Sequence, residues 1–225
     1  MAEAKGVEAV DRALRILDAF SPAAPVRSLT EIARETGFHK STILRLAVSL
    51  ERYGHLVRRA DGQFRLGPTT WHLGAAYRQS FDLGEVLRPE LKYLSDATNE
   101  TASFYIREGN SRICLYRSEP PRSIRHSILE GTIMPLAQGA SGHVLCAWEG
   151  DEDTSEVRKA GHAVSHGERD PEVAAIAVPL FTTSGRLVGA LSISGLITRF
   201  KPEGLSQFLS ALKESQGRLA KIISH

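Results

Sequence analysis

Residues 28–54 have the sequence SLTEIARETGFHKSTILRLAVSLERYG, and this stretch decides the fold of the N-terminal part of the chain. Ser28 followed by Glu31 is a capping-box pattern that predicts the start of a helix, and Gly37 predicts its end. After a short turn, apolar residues recur at helical spacing as far as Gly54 and predict a second helix. Two helices joined by a tight turn that contains glycine are typical of a helix-turn-helix.

The second of these helices has a polar face, and no apolar side chain is expected to interrupt it. Its small side chains allow close approach to a DNA groove, and its arginines can pair with guanine edges. The amide groups and the dipole at its start favour phosphate. The sequence predicts DNA-binding residues at His39, Lys40, Ser41, Thr42, Arg45, Ser49 and Arg52.

Residues 55–67, HLVRRADGQFRLG, follow as a predicted hairpin. The dipeptide Asp61-Gly62 favours a type I′ turn, and Leu56, Phe64 and Leu66 are expected to face the core. Such a hairpin is the wing of a winged helix-turn-helix. Its DNA-binding residues, expected near the backbone or the minor groove, are Arg58, Arg59 and Gln63.

The charge distribution agrees with a phosphate-binding N-terminal part. The net charge is only +2, but residues 1–67 hold eleven Lys/Arg against eight Asp/Glu, whereas the remainder holds 17 against 18. Residues 40–65 alone hold six basic and two acidic side chains. A local excess of this kind attracts nucleic acid.

Composition restricts the class of protein. Apolar residues at 42% and charged residues at 24% are ordinary globular values, and no uninterrupted apolar stretch suggests a signal peptide or a membrane span. The expected location is therefore the cytoplasm. Two cysteines without paired spacing exclude a disulfide framework, and no cofactor or metal is expected.

Two predicted helices flank the DNA-binding elements. Residues 7–20 are expected to bury Val10, Leu14, Leu17 and Phe20 on one face. Residues 68–82 predict a mostly apolar connecting helix, which could also add to a dimer surface. The expected domains are a winged helix-turn-helix over 1–67, a connecting helix over 68–84 and a second domain over 85–225.

The second domain has a pattern of strands enclosed by helices. Strands are expected near residues 101–107, 112–117, 123–129, 174–181 and 187–194, with helices from 85, over 140–148 and over 202–223. Strands linked by hairpins and flanked by helices predict an antiparallel sheet covered by helices. The fold class is mixed α/β, as a two-domain α+β chain.

Motifs along nearly the whole chain resemble those of the IclR family of bacterial transcriptional regulators. They are VDRALRILDAF (10–20), the helix-turn-helix, FRLGP (64–68), RPELKYLSDATNET (88–101), PLAQGASGHVL (135–145), GHAVSHGE (161–168), IAVPL (176–180) and GALSISGLITRF (189–200). The resemblance implies a GAF-like effector-binding domain and a homodimer, or a dimer of dimers, on a palindromic operator. It also implies a repressor or dual regulator of a catabolic operon, controlled by a small carboxylate or aromatic acid.

The same resemblance implies the residues of the effector site. Ser192 and Ser194 are two apart on a predicted strand, so both hydroxyls should lie on the same face. The start of the helix at Ala140-Ser141 would offer backbone N–H groups to an anion. The implied effector-binding residues are Ser123, His126, Met134, Ala140, Ser141, Ser165, Glu168, Val173, Ala175, Ser192 and Ser194.

Departures from the family pattern leave the effector open. Ala137 replaces a usual histidine, and His143 replaces a usual lysine. Residues 149–156 are a short acidic run where relatives have a longer helical stretch, so this domain is abridged there and its pocket could be more open or its sensing weaker.

Two other functions remain as alternatives. His162, His166 and Glu168, with His126 or His143, could form the metal site of a metal-responsive regulator. A hydrolase-like enzyme would need Ser141 beside His143 and an acid, but no nucleophile motif supports it.

Overall fold

The computed structural model describes residues 6–81, 83–122, 128–149 and 154–223, which divide into two compact units between Ser80 and Phe81. The predicted connecting helix thus belongs to the first unit. In chain order the elements of that unit are α1 (Glu8–Asp18), β1 (Val26–Arg27), α2 (Leu29–Thr36), α3 (Lys40–Arg52), β2 (Leu56–Arg58), β3 (Phe64–Leu66) and α4 (Pro68–Gln79).

The first unit is a winged helix-turn-helix, as predicted. Ser28 caps α2 in a complete capping box with Glu31, and Gly37 ends the helix at a φ of 72°. The wing strands β2 and β3 pair antiparallel, and β1 extends them to a three-stranded sheet in the order β1-β3-β2. The core of the unit is formed by side chains that are almost fully buried, which are Ile16, Ile32, Ile43, Ala47, Leu56 and Phe64.

Two apolar residues expected to be buried in α1 are exposed. Val10 is 53% and Leu14 is 54% exposed, whereas Ile16 is fully buried. The predicted apolar face is centred on Leu17, whereas the buried face of the helix is centred on Ile16. Because successive residues are about 100° apart around a helix, this difference of one residue leaves Val10 and Leu14 on the exposed side. Tyr53 is also exposed, at 71%, because α3 ends at Arg52 and Tyr53 is its C-cap.

The wing turn also differs from the expectation of a type I′ turn. That type needs positive φ at both central residues, but Gly62 has a φ of 80° and Asp61 is not among the residues with positive φ. The turn is instead closed by the N–H of Gly62 donating to Arg59 O at 3.0 Å, and Asp61 Oδ1 accepts from the N–H of Gln63. The hairpin therefore has a longer loop, with glycine following the turn.

The second unit is one antiparallel sheet covered by helices, as predicted. Its described elements are α5 (Gly84–Thr98), β4 (Thr101–Glu108), β5 (Ser111–Ser118), β6 (Ile133–Pro135), α6 (Ala140–Glu149), α7 (Ser155–Ala160), β7 (Ala163–His166), β8 (Val173–Phe181), β9 (Leu187–Leu196), a short 3-10 helix (Ile197–Arg199) and α8 (Pro202–Leu219). The strand order is β6-β5-β4-β9-β8-β7.

Alternation along the strands separates the two faces of this sheet. Phe104 and Ile193 belong to the apolar cluster that also contains Leu91 of α5 and Leu212 of α8. The opposite face presents smaller side chains, such as Ala177 and Ala190, which pack with α6. Because successive side chains of a strand point to opposite faces, the large apolar residues lie on the face covered by α5 and α8, and the small residues leave space on the face covered by α6.

Several elements differ from the sequence expectation. Of the strand predicted over 123–129, residues 123–127 lie outside the described part, and Ile128 and Leu129 are not in a strand; the edge strand next to β5 is β6. Helix α7 and strand β7 were not predicted as such. α5 begins at Gly84, and Pro89 lies inside the helix. No helix within the described ranges is long and apolar enough to span a bilayer.

Candidate functional site

The first candidate site is the outer side of α3, defined here as the α3 face by the exposed residues Lys40, Ser41, Arg45, Ser49 and Arg52. Within the described part of the chain, Lys40, Arg45 and Arg52 have no hydrogen bond or ion pair. His39 is an exposed N-cap that makes no side-chain cap bond, so donors of the first turn stay open. The α3 face therefore combines positive charges that are not neutralised by a described residue with amide groups at the helix start, and both can bind DNA phosphates or base edges.

The α3 face is less polar than expected. Val48 follows Arg45 by three residues and precedes Arg52 by four, so it lies between them on the helix surface. It is 55% exposed, and Leu44 is 36% exposed. Thr42 is half-buried rather than part of the open surface. The expectation that no apolar side chain interrupts this face is therefore wrong.

The wing arginines differ from those of α3 because they are held in place. Arg58 lies 3.6 Å from Glu51 and 4.8 Å from the centre of the Phe64 ring, and Arg59 lies 3.4 Å from Asp61. Gln63 lies in the turn next to them. Their positive charges are partly compensated, so each of them attracts a phosphate less strongly than Arg45 does.

The second candidate site is a cavity of about 40 Å³ between the small-residue face of the second unit's sheet and the start of α6. Ser165, Ala175 and Ser194 form one row across β7, β8 and β9, because Ser165 pairs with Ala175 and Ala175 with Ser194. Short side chains in adjacent strands leave the space that a larger residue would fill.

Eight of the predicted effector residues line this cavity: Ala140, Ser141, Ser165, Glu168, Val173, Ala175, Ser192 and Ser194. Met134 is buried in the apolar cluster that also contains Ala140, but it does not line the cavity. Ser123 and His126 lie outside the described residues. The sequence reasoning missed six lining residues, which are Tyr105, Arg112, Ile128, Gly139, Arg169 and Asp170.

Arg112 is a buried cation at the cavity wall. It is 5% exposed, its Nε donates to Pro135 O at 3.3 Å, and its guanidinium donates to the Ser141 hydroxyl. It forms no ion pair with a carboxylate among the described residues. Burial lowers the pKa of Arg112 from its ordinary value. Buried charges are normally paired, so this wall is suited to an anion.

The hydroxyl of Ser194 is a second uncompensated group. Ser194 is 6% exposed, lines the cavity and has no hydrogen-bond partner within the described part of the chain. An orphaned buried hydroxyl is uncommon in native proteins. Among the described residues, the cavity therefore presents a cation without an ion-pair partner and a hydroxyl without a hydrogen-bond partner.

The start of α6, in contrast, is already occupied. The N–H of Gly139 donates to Glu168 Oε2 at 2.8 Å, His143 Nε2 lies 2.7 Å from the same oxygen, and the N–H of Ala140 donates to Ser165 Oγ at 3.0 Å. Burial alone would raise the pKa of Glu168, but the hydrogen bonds from Gly139 and His143 outweigh it and lower that pKa. The carboxylate is therefore ionised at neutral pH.

The family models decide the identity of the chain. A model described as the IclR helix-turn-helix domain matches residues 9–60. A model described as the C-terminal domain of bacterial IclR transcriptional regulators matches residues 75–157 and 153–221. The chain belongs to the IclR family. It is therefore a DNA-binding transcriptional regulator.

Individual relatives agree with the IclR models over nearly the whole chain. The HTH-type transcriptional regulator BhcR of Paracoccus denitrificans is 29% identical, over 96% of this chain and 87% of BhcR. The DNA-binding transcriptional repressor YiaJ of Escherichia coli is 28% identical, over 90% of this chain and 82% of YiaJ. Both are named as regulators of transcription, and this IclR chain is likewise not an enzyme.

A solved structure agrees in fold. An IclR homologue from Microbacterium hydrocarbonoxydans, in complex with 4-hydroxybenzoate, has a TM-score of 0.78. It is 20% identical, and the match covers 95% of this chain and all of that one. Because the sequence identity is this low, the similarity to the homologue shows a shared fold only.

Among the described residues, which do not include His126, the two alternative chemistries find no matching geometry. Glu168 pairs with His143, whereas His162 Nδ1 contacts Ala160 O, and no three metal-ligating side chains group together among the described residues. Ser141 accepts from Arg112, and His143 is engaged with Glu168.

Proposed function

We propose that this IclR chain binds a palindromic operator as a repressor or dual regulator of a catabolic operon, and that a small carboxylate or aromatic acid in the second unit's cavity alters its affinity for DNA. A ligand can do this only if it binds the two DNA-affinity states unequally.

The buried guanidinium of Arg112 is the observation that carries the effector part of this proposal. A buried cation that forms no ion pair among the described residues, in the same cavity as the unpartnered Ser194 hydroxyl, would gain most from an anion that also offers an acceptor oxygen. One water molecule occupies about 10–15 Å³ of such space, so about 40 Å³ favours acids of few heavy atoms. An aromatic acid would need the walls to move.

The α3 face supports the DNA-binding residues of the proposal. Arg45 is the candidate for base contact, with Val48 beside it as a possible neighbour of a thymine methyl group. Lys40, Ser41 and the first-turn amides would contact phosphate, and Arg58, Arg59 and Gln63 would lie along the flanking backbone.

The helix α4 supports a homodimer or a dimer of dimers. None of its twelve residues is buried, and Trp71 and Leu73 are 76% and 53% exposed. A helix this short is marginal on its own in water. Val10 and Leu14 of α1 add exposed apolar surface in the same unit. A two-fold dimer would match a palindromic operator. The relative YiaJ is a transcriptional repressor by name, which supports repression.

Fluorescence anisotropy tests the proposal. The purified protein is titrated onto DNA from its own upstream region and onto a scrambled duplex, at several salt concentrations, with and without acetate, propanoate, benzoate and 4-hydroxybenzoate. We expect tight, salt-dependent and sequence-selective binding that at least one acid changes. Equal affinity for both duplexes would contradict operator binding, and no response to any acid would contradict the effector part.

A further inference from the structure

The start of α6 carries a carboxylate that belongs to the chain itself. Glu168 Oε2 accepts from the N–H of Gly139 at 2.8 Å and lies 2.7 Å from His143 Nε2. The amides at a helix start are where an anion is best stabilised, and α6 is ten residues long. Glu168 thus occupies the position that the carboxylate of an acidic ligand would take.

The neighbouring part of the cavity still lacks an anion. A Cβ added to Gly139 would lie 3.1 Å from Nη2 of Arg112, so the guanidinium and the start of α6 are adjacent. Arg112 forms no ion pair among the described residues, although the Glu168 carboxylate acts on its charge through space, and the Ser194 hydroxyl has no hydrogen-bond partner there. Glu168 therefore fills the anion position at the start of α6, and the position directly beside the guanidinium has no ion-pair partner among the described residues.

Glu168 is placed so that it can leave. It lies between β7 and β8, directly after Gly167, whose φ is 67°. Its side chain is 35% exposed, and so is that of His143. Leaving would return the carboxylate to water, where an ordinary glutamate is ionised at neutral pH. Departure costs hydrogen bonds but no burial of charge.

We infer that Glu168 is a specificity-determining residue that competes with the carboxylate of the ligand for the start of α6. This inference rests on the proposed acid-binding cavity. For every acid that uses the Gly139 N–H, the apparent affinity is the intrinsic affinity multiplied by the fraction of molecules in which Glu168 has left. Neutral ligands do not compete for that position, so Glu168 sets the concentration at which acids act.

Two variants of the full-length protein separate contact from charge. Glu168→Gln keeps the length of the side chain and removes its charge, whereas Glu168→Asp keeps the charge and withdraws the carboxylate by one methylene. Isothermal titration calorimetry measures Kd for acetate, propanoate, benzoate and 4-hydroxybenzoate, with acetamide and benzamide as neutral probes. Melting temperatures confirm that the variants fold, and Glu172→Gln, an exposed carboxylate outside the cavity lining, is the matched control.

We expect the acids to bind roughly tenfold more tightly to both Glu168 variants, with no change for the amides or in Glu172→Gln. Binding by the variants alone, with none by the wild type, would support the inference equally. Tighter binding to Glu168→Gln but not to Glu168→Asp would show that only the charge of residue 168 matters, and would overturn the inferred competition for the start of α6. Weaker binding to both would make Glu168 a direct ligand contact. If no protein binds any acid, the proposed acid-binding function itself fails.

Discussion

The α3 face and the cavity handle positive charge in opposite ways. On the α3 face, Lys40, Arg45 and Arg52 are exposed and form no ion pair with another described residue, so water solvates their charges until DNA binds. In the cavity, the guanidinium of Arg112 is 5% exposed and held by a hydroxyl and a carbonyl. Exposed charges favour fast, salt-dependent binding to which several residues contribute, whereas a buried charge makes the affinity depend strongly on one residue.

The largest expected effect follows from neutralising the buried charge. Arg112→Met keeps most of the volume and removes the cation, so acid affinity should fall by about 2–5 kcal/mol, as for truncating one partner of a buried charge pair. Calorimetry with the acid that responds best checks this. Arg112→Lys, which retains the charge, should lose less, and operator affinity without acid should stay near the wild-type value. Unchanged acid binding in Arg112→Met would remove the cation from the site.

Removing one exposed charge should cost less. Arg45→Ala should weaken operator binding by about 1–3 kcal/mol if the guanidinium makes a bidentate base contact, and it should relax selectivity at one base pair. Anisotropy with the operator and its single-base variants measures both. Lys213→Ala, at an exposed position of α8, is the control and should bind as the wild type does. A loss that is equal for every duplex would make Arg45 a phosphate contact.

The same contrast explains what the sequence could predict. The α3 face follows from helical periodicity within one short segment, so Arg45 and Arg52 could be assigned from spacing alone. The cavity is assembled by pairing across strands, and Arg112 meets Ser141 from 29 residues away. Nothing in the local sequence indicates that contact. Ser192 and Ser194 were found because two-residue spacing fixes their common face, whereas the occupation of the α6 start by Glu168 depends on tertiary placement.

A further variant sharpens the difference within the cavity itself. Ser194→Ala removes a buried hydroxyl that has no partner in the described structure, so the free energy of unfolding should stay constant or rise by up to about 1 kcal/mol. Acid affinity should fall by about 0.5–1.5 kcal/mol, because the ligand loses one hydrogen bond. Denaturant unfolding and calorimetry measure the two quantities. A clear loss of stability would show that the hydroxyl supports the fold and not the ligand.

The smallest expected effect concerns a wing arginine whose charge is already partly compensated. Arg58 lies near Glu51 and over Phe64, so Arg58→Ala removes one phosphate contact at most and leaves base recognition intact. The slope of log affinity against log salt should decrease in magnitude by about 0.9, with the operator still preferred over scrambled DNA. Because Glu51 is freed at the same time, Glu51→Gln in the same background separates added repulsion from lost attraction. A slope that does not change would mean that the Glu51 pair keeps Arg58 away from the phosphates.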